Sequence, residues 1–264
     1  MSPFIVLPLA GWAALILLFA ALWIWQQKHR DAGIVDVGWA AGLAILAIFY
    51  GMFGLGHPIR RILVALLGGA WGFRLATYLL FDRVIGKPED GRYQTLRRAW
   101  GHRASPAFFV FFQAQGLLDV VLSLPFLLAA MDPAPAPRAT DLAAAILWSI
   151  ALTGEAVADR QLAKWRGHPY NRGRTCRAGL WRLSRHPNYF FEWLIWCAFA
   201  ILAFPAHWGW TAIGAPVLML FFIFRLTGIP ATEAQAIASR GDDYRSYQAE
   251  TSVFIPWFPR KRPA

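Results

Sequence analysis

Charge is scarce in this chain. Only 16% of its 264 residues are Asp, Glu, Lys or Arg, against about 25% in a typical soluble domain. That leaves too little polar side chain to cover the surface of a soluble globule. Cysteine is scarcer still: Cys176 and Cys197 are the only two, which excludes a disulfide scaffold. No GxGxxG, P-loop or GxSxG signature is present, so a Rossmann cofactor domain is absent. No His/Cys/Asp spacing resembles a metal site. There are no internal repeats and no low-complexity linker.

Apolar sequence is what the chain has in abundance. Hydrophobic residues make up 57%, with 14 Trp and 20 Phe. A membrane-spanning helix needs about 20 mostly apolar residues. Seven such stretches are read at 4–25, 34–54, 62–81, 107–130, 140–158, 189–206 and 208–226. The first lacks a basic n-region and a small-residue cleavage site, so it reads as a helix rather than a signal peptide. The expected fold is an all-α integral membrane protein: a seven-transmembrane-helix bundle forming one domain over residues 1–264, with a cofactor cavity facing the cytoplasm. Pro125 and Pro216 are expected to kink their spans, and Asp141 to cap a helix.

Basic residues set the expected orientation. Of the 26 Lys and Arg, 21 lie after the first span, in 82–106, in 159–187 and in the tail, Lys261 and Arg262 included; the opposite loops hold only Arg60, Arg61 and Arg138. The basic segments belong in the cytoplasm, with the N-terminus outside and the C-terminus inside. A bacterial inner membrane is the expected location. Topology accounts for most of the +11 net charge, so nucleic acid is excluded as a partner.

Ionisable groups inside a bilayer are costly and mark function. Asp36 opens the second span. Arg74, Tyr78 and Asp82 follow at helical spacing in the third. Gln115 and Asp119, Glu155 and Asp159, and Asn188 and Glu192 are three i, i+4 pairs, each on one helix face. Asp119 is the deepest, ~18 Å into its helix at 1.5 Å per residue. This one-sided distribution implies a cavity open to the cytoplasm and closed on the far side, not a channel. Buried salt bridges are the competing account of any one of these residues.

Gly179-Leu-Trp-Arg-Leu-Ser-Arg-His-Pro-Asn-Tyr-Phe-Phe-Glu192 is the most specific segment. Arg182, Ser184 and Arg185 stand just before a helix that Pro187 can start. Arg side chains, a hydroxyl and backbone N–H groups there would make an anion site, suited to a phosphate-bearing cofactor. A basic loop that only anchors lipid headgroups is the alternative.

This segment resembles the hallmark of the steroid 5-alpha-reductase superfamily, and in particular its uncharacterised bacterial branch. Shorter pieces extend the resemblance: Val35-Asp-Val-Gly-Trp39, Trp71-Gly-Phe-Arg-Leu75, Glu89-Asp-Gly-Arg-Tyr93, Gln115-Gly116, Glu155-Ala-Val-Ala-Asp-Arg-Gln161 and Asp243-Tyr-Arg-Ser-Tyr247. It implies a seven-helix membrane enzyme that takes NADPH from the cytoplasm and reduces a carbon–carbon double bond conjugated to a ketone in a lipophilic, steroid-like or other lipid substrate. By the same resemblance Asn188 and Glu192 hold the nicotinamide end and Asp159 the adenosine side. Glu155, Arg166, Arg83, Arg92 and Tyr93 complete the cofactor contacts. Arg166 and Arg182 suit the extra phosphate of NADPH over NADH.

The sequence departs from the steroid-reducing members in two places. Asp36 is the only acid of the second span, and Trp71 occupies the position of a ketone-polarising Tyr. Asp36 or Tyr78 is therefore the expected catalytic donor. Trp39, Trp71, Gln115 and Asp119 are assigned to the substrate. A membrane methyltransferase using S-adenosylmethionine shares Arg185-His-Pro187, Glu233 and Tyr244-Arg-Ser-Tyr247, and is the nearest alternative. A non-enzymatic lipid-binding protein is the other.

Overall fold

The computed structural model describes residues 2–226 and 228–260. Lys261 and Arg262 of the basic tail lie outside them. The chain is 80% helical, without a strand among the described residues. Its helices are α1 (Pro3–His29), α2 (Ile34–Phe53), α3 (Pro58–Leu79), α4 (Gly91–Trp100), α5 (Ala104–Leu122), α6 (Leu124–Met131), α7 (Ala139–Gly167), α8 (Pro187–Ala203), α9 (Gly214–Phe221), α10 (Ile229–Arg240) and α11 (Asp242–Glu250). Wider π-helical turns extend α3 through Val84 and α9 through Leu226.

Six helical runs are long and apolar enough to cross a membrane. We read the membrane-spanning parts as α1, α2, α3, α5 with α6, α7, and 209–226. The sequence reading placed a seventh at 189–206. Its counterpart α8 has 17 residues, about 26 Å at 1.5 Å each, short of the ~30 Å hydrocarbon core.

Of the two prolines expected to kink their spans, only Pro125 coincides with a break. The span expected over 107–130 breaks at Ser123, and Pro125 sits in the first turn of α6, where its missing N–H is harmless. Pro216 does not kink a helix, because α9 begins only at Gly214. Asp141 lies inside α7 rather than at its cap. It reaches back to accept a hydrogen bond from the Arg138 N–H at 2.8 Å, as the third residue of a capping box does.

The chain packs as two compact units. One runs to Leu142 and adds Ala200–Ala215; the other comprises Ala143–Phe199 and everything from Pro216. In the first, α2 is the central helix, packed on α1, α3, α5 and α6. Its closest approach is to α3, through glycines. A Cβ on Gly72 would lie 2.6 Å from the Ala40 carbonyl oxygen, and one on Gly68 would lie 2.4 Å from Ala47. Small residues that let backbones meet are the usual basis of helix packing in lipid. In the second unit, α8 and α9 share an apolar cluster with the tail: Ile223, Ile229 and Phe254, packed by Phe190 and Trp193.

Candidate functional site

In the first unit, three residues singled out from the sequence meet at one point. Asp36, in the first turn of α2, accepts a hydrogen bond from the Tyr93 hydroxyl at 2.6 Å and another from Arg92 Nη2 at 2.9 Å. The connection is made by α4. Asp90 caps that helix, accepting from the Arg92 N–H at 2.9 Å, and the same carboxylate holds Arg92 Nε at 3.1 Å. Burial opposes ionisation of Asp90, but Arg92 and the nearby Arg83 outweigh it and hold its pKa below the usual value. One turn further along α4, Arg97 grips Glu89 at 2.7 Å, and Glu89 accepts from the Ala32 N–H at 2.8 Å. The linker after α1 is thereby tied to α4.

The cluster has spare capacity. The side chains of Arg92 and Asp36 are 31% and 28% exposed, while Tyr93 is buried to 4%. Arg92 uses Nε and Nη2 on its carboxylates, and Nη1 engages neither of them. Both Asp36 oxygens are acceptors, one from the Tyr93 hydroxyl and the other from the Arg92 guanidinium. Trp39 and Trp71 stack edge to face at 6.2 Å; Trp71 is fully buried, as a core residue would be. Tyr78 and Gln115 are half-buried on α3 and α5.

Asp119 differs from the rest of the unit. It is fully buried, and neither carboxyl oxygen has a hydrogen-bond partner among the described residues. Its Oδ2 lies against Gly42 of α2, so close that a Cβ there would come within 2.3 Å. Only glycine admits the carboxyl at that crossing.

The second unit gathers the long motif. Gly154 of α7 packs on the Phe191 ring of α8, where a Cβ would come within 2.5 Å. That contact sets the acidic stretch of α7 beside the helix that carries Asn188 and Glu192. Glu155 and Asp159 are buried to 2% and 3%, whereas Asn188 and Glu192 are half-exposed, one turn apart. The turn before α8 is fixed by Gln161, which accepts from the Leu180 N–H at 2.9 Å, and by Trp181 Nε1, which donates to Ala158 O at 2.9 Å. Gly179 has φ +58°, and a Cβ would collide with Gln161.

The anion site expected from Arg182, Ser184 and Arg185 is divided by the fold. Ser184 is fully buried and donates to Phe254 O at 2.8 Å. Arg185 is engaged by Glu233 at 2.6 Å and by the carbonyls of Gln248 and Thr251. Both therefore tie the motif to the tail. Arg182 remains exposed, as does Arg166.

Glu233 is the centre of that tie. His186 Nε2 lies 3.2 Å from it, Gln248 Nε2 2.7 Å and the Tyr244 hydroxyl 3.3 Å. Burial opposes its charge, but hydrogen bonds from His186 and Arg185 bring its pKa down to about 2. Burial also lowers the pKa of His186, so the ring is neutral at pH 7. Arg240 lies 5.2 Å over the Tyr244 ring. Burial, reinforced by the like charge of Arg166, lowers its pKa.

The helices and these polar clusters define an all-α integral membrane protein with ionisable groups set into its bundle. The chain belongs to the family described as "protein of unknown function (DUF1295)", whose profile matches residues 22–251. Neither curated proteins nor solved structures give a match.

The sequence reading took Tyr93 as a cofactor contact and missed its bond to Asp36. The available signal was Asp90-Gly-Arg92-Tyr93: a helix cap with a cation two residues on and a phenol three residues on. Asp90 itself carried no assignment.

Proposed function

We propose that this protein is a membrane-embedded, NADPH-dependent reductase of a carbon–carbon double bond conjugated to a ketone in a lipophilic substrate. The reading rests on the resemblance of the Gly179–Glu192 motif to steroid 5-alpha-reductase-like enzymes. One structural observation carries it further: the Tyr93 phenol held on Asp36, beside a partly exposed Arg92.

The residues present fit the cofactor. Asn188 offers a half-exposed carboxamide with no partner among the described residues, suited to a nicotinamide amide. Arg166 and Arg240 are like charges near one another, an arrangement that a bound phosphate would relieve. Glu192, Glu155 and Asp159 supply acceptors for hydroxyls and amines. When bound, NADPH supplies the hydride that adds to the β-carbon.

The chain's own part is to manage the charge that appears on the ketone oxygen. The single Tyr93 hydroxyl hydrogen, bonded to Asp36 at rest, would swing onto that oxygen as its charge develops, with the Arg92 guanidinium adding a positive field beside it. Asp36 and Asp90 hold both groups in place. A proton taken from solvent water at the α-carbon completes the reduction, one hydride and one proton in all. The donor role thus passes from Tyr78 and Asp36 to Tyr93, with Asp36 as its positioning residue. Trp39, Gln115 and Asp119 remain assigned to the substrate.

The basic loops face the cytoplasm in this proposal, with NADPH arriving from that side. Cysteines placed at Lys87, Arg174 and Arg240 should be labelled from the cytoplasmic side alone; labelling from outside would overturn the orientation. The activity is tested by NADPH fluorescence titration of the purified protein, paired with NADPH consumption on cyclic and long-chain enones. Binding of S-adenosylmethionine in place of NADPH would transfer the protein to the methyltransferases. Binding of neither would leave a lipid-binding role.

A further inference from the structure

The tail after α11 is pinned and yet displays its apolar side chains. Four hydrogen bonds fix its course. Arg185 N donates to Ser252 O at 2.8 Å, Ser184 Oγ to Phe254 O at 2.8 Å, Trp257 N to Leu183 O at 2.9 Å and Arg260 N to Glu250 O at 2.8 Å. Val253 and Phe254 turn inward to the apolar cluster of the second unit. Ile255, Trp257 and Phe258 do not: they are 61%, 70% and 79% exposed. Beside them lies a cavity of about 520 Å³, a size at which pockets hold a small ligand. Its lining combines polar Gln248, Glu250, Thr251 and Ser252 with apolar Val253, Ile255, Trp257 and Phe258, and includes Arg260.

A loop held rigid while showing three large apolar side chains marks an interaction surface, and the chemistry selects the occupant. Pro256 and Pro259 have no N–H, and the N–H groups of Trp257 and Arg260 are already engaged. A partner strand could not add along this edge. The mixture of Trp, Phe and Arg is the one found where a bilayer meets water. There aromatic rings lie at headgroup level and long cationic side chains reach the phosphates. The sequence reads Arg260-Lys-Arg262, complementary to anionic lipid, and the acid among the cavity residues, Glu250, is countered by Arg177 at 3.8 Å. The preceding helix α11 is polar, so the apolar loop is a local feature and not the edge of a spanning segment.

We propose that residues 248–260 form a binding site for one anionic phospholipid of the leaflet beside the basic loops. The acyl region lies against Ile255, Trp257 and Phe258, and the phosphate is read by Arg260. The site has no part in the reductase chemistry and does not depend on it.

The test uses the full chain in nanodiscs with equal parts phosphatidylglycerol and phosphatidylcholine, with retained lipid counted by native mass spectrometry after detergent extraction. The parent protein should keep phosphatidylglycerol in preference by about tenfold, a difference of ~1.4 kcal/mol. Trp257→Ala with Phe258→Ala should reduce retention of both lipids. Arg260→Glu should abolish the preference while leaving retention of phosphatidylcholine in place. NADPH affinity should be that of the parent in every variant, which separates failure here from failure of the reductase reading and confirms that the variants fold. Equal retention of both lipids by the parent, or unchanged retention in the variants, would overturn the site. Displacement of the lipid by soluble glycerol phosphate would show that it reads a phosphate and not a lipid. A dimer that the aromatic substitutions dissociate would show that a second copy covers the loop.

Discussion

Two arginine–aspartate clusters occupy the first unit, and their difference separates architecture from chemistry. Arg60 is 0% exposed, and its partners Asp132 and Asp141 are 7% and 1% exposed. Its Nε binds Asp141 at 3.1 Å, and its two terminal nitrogens reach Asp132 and the carbonyls of Ala134 and Pro135. Arg138 and the Ala134 N–H occupy what remains of Asp132. Every nitrogen of the Arg60 guanidinium and every carboxyl oxygen is engaged. The other cluster also joins an arginine to aspartates and adds the buried Tyr93, but its Arg92 and Asp36 are about a third exposed, and no carboxylate engages Nη1 of Arg92. A saturated network can only hold; an unsaturated one can still bind.

The largest expected effect falls on the saturated cluster. Arg60→Met leaves the buried Asp141 without its cation and Asp132 with Arg138 alone, and removing one partner of a buried pair typically costs about 3–5 kcal/mol. Denaturant unfolding in detergent should show a loss of that order, with NADPH affinity unchanged in protein that remains folded. A loss below ~1 kcal/mol would mean that the cluster is not the tie its geometry describes.

The open cluster should respond in the reverse sense. Tyr93→Phe and Asp36→Asn should each lower turnover on the best enone by ~10²–10³, the effect of deleting one oxyanion donor. Stability should change by no more than ~1 kcal/mol, the range of partly exposed ion pairs. Loss of stability without loss of turnover would erase the distinction between the two clusters. In the second unit, Glu192→Gln should weaken NADPH binding by roughly one to two decades, the equivalent of a charged hydrogen bond of about 1.5–3 kcal/mol. Affinity equal to the parent's would remove Glu192 from the cofactor site.

The same contrast explains what the sequence could and could not disclose. Helix positions followed from apolar run length, a property of local composition, and each expected stretch has a helical counterpart. The π-helical turns at Leu80–Val84 and Phe222–Leu226 have no such local signature. Asp36 was legible because a carboxylate in an apolar run is conspicuous. Arg60 was not: it stood among the few basic residues of a short loop, and its burial depends on Asp132 and Asp141, more than 70 positions away. Ser184 and Arg185 misled for a related reason. Their types suit an anion, but partners from 233 to 254 engage them first.

Asp119 falls outside both classes and gives the smallest predicted change in stability. Like Arg60 it is fully buried, yet like Arg92 it has capacity in reserve. An unpartnered polar group in an apolar interior costs free energy, so an architectural role would be an unfavourable one. Asn has nearly the same shape, and the Gly42 crossing leaves no space for a larger side chain. Asp119→Asn should therefore leave unfolding within ~1 kcal/mol of the parent, on the stable side if on either. Turnover decides the rest. If Asp119 accepts a hydrogen bond from the lipophilic substrate, KM should rise about tenfold with kcat nearly kept, the pattern of lost uniform binding. Unchanged KM on every enone turned over by the parent would remove Asp119 from the substrate site. Gly42→Ala would then be predicted to destabilise the helix crossing without touching kinetics.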